Sequence, residues 1–114
     1  MKRDLRLYLE DIWEGIAAIE EYTSGMSKSG FEADRKVQDA VARRLETIGE
    51  AVKHLPDDFR AQYPDVPWKL IAGLCDVLIH EYFNVRIMRV WHVVANDLPA
   101  LKRAIARART SPDS

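Results

Sequence analysis

The sequence predicts an all-α chain folded as an antiparallel up-and-down four-helix bundle, and three observations carry that reading. Apolar residues recur at steps of three and four through four long segments. Glycine, serine or proline punctuates between the segments, and neither strand alternation nor a hairpin dipeptide appears. The 114 residues, 47% hydrophobic and 31% charged, suffice for one core and are too few for a second, so a single domain over 1–114 is expected.

The first helix is expected over 3–24, where Leu5, Leu9, Ile12, Ile16 and Ile19 share a face and Ser24-Gly25 ends the pattern. TSGMSKSG then reads as a loop on its Gly/Ser content. The second helix, over 33–55, opens at Ala33 or Asp34, carries Val37, Val41, Leu45, Ile48, Val52 and Leu55, and stops at Pro56. Three prolines in PDDFRAQYPDVP leave room only for a turn or a short extra helix near 57–63.

Pro67 suits the first turn of a third helix over 67–83, with Asp65 or Val66 near its cap. Its run WKLIAGLCDVLIHEYF is apolar on most of its circumference and is expected to be the most buried, with Asn84 as the break. The fourth helix, over 86–108, carries Ile87, Val90, Trp91, Val94, Leu98, Leu101 and Ile105. Pro99 falls inside that pattern and predicts a kink or a restart capped by Asp97.

Composition excludes several classes. No apolar run approaches the roughly 20 residues that a bilayer requires. Charges scattered through MKRDLRLYLEDIWEG break what would be a signal peptide's apolar core, and the lone Cys75 excludes an internal disulfide framework, so a cytoplasmic address is expected. The net charge of −1 does not advertise nucleic-acid binding, but its distribution is uneven. Residues 1–24 hold three Lys/Arg against six Asp/Glu, and 86–109 hold six Lys/Arg against Asp97 alone, local balances of −3 and +5. That asymmetry suits RNA or, more simply, an acidic helix packed beside a basic one.

Polarity and burial conflict at one place. A helix apolar nearly all round should carry Asp76, His80 and Glu81 only if they are partnered or used. Asp76 and His80 are four apart and share a face, so the carboxylate can accept from the imidazole, either as a satisfied core pair or as catalytic machinery. Cys75 and Tyr82 lie on a neighbouring face. Elsewhere, Glu50 and His54 read as a helix-surface ion pair rather than a metal pair, Trp91 as core, and Lys102, Arg103, Arg107 and Arg109 as a solvated basic helix end or an RNA guide. Paired Glu-x-x-His motifs are absent, which sets aside a carboxylate di-metal bundle.

CDVLIHEYFNV, preceded by PWKLIAG and followed by WHVVANDLPALK, resembles the HepT-like group of HEPN proteins, and the likeness extends through RRLETIGEAVKHLP to essentially the whole chain. The family motif is Arg, four residues with Asp or Asn directly after the Arg, then His, one residue and Tyr. Asp76, His80 and Tyr82 match it, whereas Cys75 stands where the motif has Arg. The resemblance implies a HEPN-like bundle and the toxin of a type VII toxin–antitoxin pair. It further implies a metal-independent, cofactor-free endoribonuclease acting as a homodimer on RNA.

Under that resemblance His80 is the general acid or base at the ribose 2′-hydroxyl or leaving oxygen, Asp76 orients it, and the missing Arg would stabilise charge on the scissile phosphate. The cognate MntA nucleotidyltransferase would neutralise the toxin by transferring AMP to Tyr82. Cys75 supplies neither cation nor reach, so a folded but catalytically impaired chain is expected. Either an inactivating change replaced the Arg, or the chain is a naturally non-catalytic module that binds the nucleotidyltransferase.

Overall fold

Aspartate and serine side chains start three of the helices in the computed structural model, which describes residues 4–81 and 86–110, with side chains as far as Leu78 in the first stretch. Asp4 accepts from the Arg6 N–H at 2.9 Å and opens α1 (Leu5–Thr23). Ser27 accepts from the Gly30 N–H at 3.0 Å and opens α2 (Lys28–Ala33). Asp34 accepts from the Val37 N–H at 3.1 Å and opens α3 (Arg35–Lys53). α4 (Asp57–Ala61), α5 (Trp68–Glu81), α6 (Ile87–His92) and α7 (Leu98–Thr110) follow, and no strand occurs among the described residues.

The long helices fall where the periodicity puts them, and the short helix expected near 57–63 is α4. The TSGMSKSG loop needs correction, because its second half initiates α2. Ser27 supplies the cap and Phe31, fully buried and 5.1 Å from the Trp91 ring, anchors the turn, so tertiary burial overrides local Gly/Ser composition. Gly25 turns the chain between α1 and α2 with φ at +72°, a conformation that disfavours a Cβ.

The fourth helix is irregular directly before Pro99, where the sequence predicts a kink or a restart, but the device is not an Asp97 cap. A π-helical turn over Val93–Asp97 joins α6 to α7, with Leu98 N–H bonding back to the Val93 carbonyl, five residues away. The helix neither breaks nor restarts at Asp97, whose backbone lies inside the turn. Pro99 has no N–H to continue an ordinary i→i−4 ladder, and the widened turn directly before it absorbs the mismatch.

α1 is the centre of the bundle. Tyr8 stacks on His54 with ring centroids 4.8 Å apart, and a Cβ on Gly15 would lie 2.7 Å from Ile48, so α1 and α3 run antiparallel at close range. On its other side Lys102 reaches Glu20 at 2.8 Å and Arg109 reaches Glu10 at 2.7 Å, which sets α7 antiparallel to α1. The acidic first helix and basic last helix thus complement one another. Leu9, Ile12, Ile16 and Ile19 are 0–1% exposed, each contributing about 1.5–3 kcal/mol of apolar burial.

α5 packs chiefly on α3. Trp68, Ile71, Leu74, Cys75 and Leu78 are buried, while Leu70 is 42% exposed and a Cβ on Gly73 would meet nothing within 4 Å. Among the long helices α5 still has the largest buried share of its described side chains, as its apolar run predicts, although within one chain it is covered on one side.

Candidate functional site

The candidate site lies where α5 crosses α3, and a glycine makes the crossing possible. Any side chain on Gly49 would collide with the Cβ and Sγ of Cys75, so the two helices meet here with no room for even a methyl group. Cys75 is 1% exposed and its thiol donates to the Glu46 carbonyl at 3.2 Å. The residue in the motif's arginine position therefore starts inside the α3–α5 seam.

Burial pushes the Cys75 thiol up to about 11, with Lys53 opposing the shift and Glu50, Asp76 and Glu46 adding to it. The thiol is neutral at physiological pH and is a poor nucleophile. Those four side chains also define the charge of the site: three carboxylates around one ammonium, a local balance of −2. Lys53 carries the ammonium. It bonds to Asp76 across the helices and to Glu50 along α3 at 3.4 Å, and Asp76 holds it above the usual lysine range.

Asp76 is exposed and its described partner is Lys53, which joins the motif's acid to α3. The backbone of His80 belongs to α5, four residues beyond Asp76 on the same face. The His80 side chain, Tyr82 and the predicted break at Asn84 lie outside the described residues. The expected Glu50–His54 pair does not form: Glu50 serves Lys53, and His54 stacks on Tyr8. Among the described residues no three His, Cys, Asp or Glu side chains converge as metal ligands, and no helix is long and apolar enough to cross a membrane.

Gly49 and Lys53 belong to the candidate site through their contacts with Cys75 and Asp76, and the sequence reading did not single them out. The signal was their spacing of four within GEAVK, which puts both on the face of α3 that meets α5.

An all-α bundle of this kind, with no strand among the described residues, is HEPN-like. The chain belongs to the HepT-like ribonuclease family: the family model "Ribonuclease HepT-like" matches residues 12–108. A Thermococcus cleftensis protein named "Probable ribonuclease HepT" is 45% identical over 96% of this chain and 99% of its own length. A Methanocaldococcus jannaschii protein named "Gamma-glutamylcyclotransferase and putative RNase" is also 45% identical, over 94% of this chain, which spans only 48% of that longer protein. No solved structure gives a significant match.

Proposed function

We propose that this chain is the toxin component of a type VII toxin–antitoxin pair, built as a homodimeric, metal-independent endoribonuclease and impaired at one position. His80 exchanges the proton at the ribose 2′-hydroxyl or the leaving oxygen, and Asp76 orients it. Tyr82 accepts AMP from an MntA-type nucleotidyltransferase, and the added negative charge keeps RNA phosphate out.

The observation that carries the reading is the charge around position 75. Glu46, Glu50 and Asp76 surround it, and Lys53, the ammonium of the group, is already committed to Asp76 and Glu50. A phosphate approaching such a site meets net negative charge, whereas an arginine side chain growing from position 75 would add the fixed cation that phosphoryl chemistry needs. The test compares RNA cleavage by the chain with that by Cys75→Arg. The arginine variant is expected to cleave at least 100-fold faster, on the order of 2.7–4 kcal/mol of transition-state stabilisation. Vigorous cleavage by the Cys75 chain itself would overturn the assignment.

The fit of the thiol supports a second reading. Cys75 is buried, hydrogen-bonded and matched to Gly49, as a residue settled in its position would be. Under this reading the chain is a non-catalytic module that binds the nucleotidyltransferase, and Cys75→Arg would leave RNA uncut.

A further inference from the structure

The four basic residues of α7 divide into two pairs with different fates. Lys102 and Arg109 are held by α1: Lys102 by Glu20, and Arg109 by Glu10 and by the Trp13 ring, 4.3 Å from its guanidinium carbon. Arg103 and Arg107 are one turn apart, exposed, and make no ion pair with any described residue. Both line a cleft of about 120 Å³ between α7 and the segment that leads into α5, opposite Gln62, Tyr63 and Asp65. Asp65 is the single acid of that lining, so the cleft is net positive in a chain whose overall charge is −1.

Two planar guanidinium groups on one helix face, in a cleft that Gln62 and Tyr63 also line, suit the oxygens of a phosphate group. The cleft admits a phosphate. The absence of any stacking pair of aromatic rings across it argues for reading the backbone rather than a base. The segment that lines the cleft leads into α5 at Trp68, and His80 is 12 residues further along that helix, roughly 18 Å by helical rise. A single RNA strand lying along α5 spans that distance in a few nucleotides.

The geometry points to a phosphate-binding exosite formed by Arg103 and Arg107 with Gln62 and Tyr63, which grips the RNA backbone away from the motif. The inference rests on the ribonuclease reading for its choice of RNA as the source of the phosphate. The exosite supplies affinity without sequence preference and places the strand over α5.

The experiment is fluorescence anisotropy of a labelled single-stranded 2′-O-methyl oligoribonucleotide, which cannot be cut through its 2′-oxygen. The double variant Arg103→Gln/Arg107→Gln is expected to bind about tenfold more weakly. Its slope of log affinity against log salt should fall by about 1.4, as for two lost contacts to a single strand. Arg103→Lys/Arg107→Lys, which keeps the charge, should recover most of the binding, and unchanged helical melting of both variants excludes unfolding. Inorganic phosphate and AMP are titrated in parallel. If the double glutamine variant loses phosphate or AMP but holds the oligonucleotide as tightly as the parent, the RNA assignment is wrong. Equal affinity for all three probes would overturn the exosite altogether. Cleavage by Cys75→Arg, scored separately, judges the ribonuclease reading, so neither result can stand in for the other.

Discussion

Cys75 and Gly49 are complementary surfaces: the thiol-bearing side chain of α5 fills the space that the absent side chain of α3 leaves open, and the thiol then reaches the Glu46 carbonyl. This contact sets the separation of the two helices and fixes where the side chain of position 75 begins. The charges that act on the side chain at 75 are those of Glu46, Glu50 and Asp76, opposed by Lys53.

Gly49→Ala should be destabilising for that reason. A methyl group at 49 has no space, and overpacking of this kind costs about 1–3 kcal/mol. Substituting alanine in a helix interior ordinarily favours the helix, so a drop in thermal midpoint would isolate the packing term. An unchanged or raised midpoint would contradict the close approach.

The thiol predicts a pH dependence. Its pKa is raised by burial from 9.0 to about 11, so the unfolded chain ionises first as pH rises. The stabilisation from a neutral buried thiol is fully present below pH 9 and is lost progressively as pH climbs towards 11. Alkylation by iodoacetamide at pH 8 should therefore be slow in the folded chain and rapid after denaturation. Equal rates in the two states would refute the burial of Cys75.

The uncovered side of α5 predicts self-association. Leu70 and Val77 are seven apart on the side that α3 leaves open, with Gly73 between them. Leu70→Asp and Val77→Asp should convert a dimer into a 13.1 kDa monomer at micromolar concentration by light scattering, without loss of helical content. A parent chain that is already monomeric would remove the dimer from the proposed function.

Tyr82 should be the acceptor of AMP. Incubation with a cognate nucleotidyltransferase, ATP and Mg²⁺ should add one or more AMP units to the parent chain and none to Tyr82→Phe. Peptide mass spectrometry that places AMP on Tyr8, Tyr22 or Tyr63 would move the site. Tyr8 and Tyr63 are the more instructive alternatives, since their rings are packed against His54 and Phe59.

The helical class and the four long helices were legible in the sequence because apolar periodicity is a local signal, written every three or four residues along a single chain. Cys75, Asp76 and the backbone of His80 fall together on α5 because they are close in sequence on one helix, whereas their motif roles come from the family resemblance. Partners that come from another helix were not legible. Lys53 bonds to Asp76 across 23 positions, Gly49 yields to Cys75 across 26, and Lys102 and Arg109 meet Glu20 and Glu10 from the far end of the chain. Nor could local composition separate a loop from α2, whose turn is secured by Phe31 packing on Trp91, or foresee that a π turn rather than a break would accommodate Pro99. Periodicity fixes which face of a helix is apolar. Only the assembled bundle decides which charged side chains are consumed by neighbours and which, like Arg103 and Arg107, stay exposed without an ion pair among the described residues, because that choice depends on distances between segments that the sequence keeps far apart.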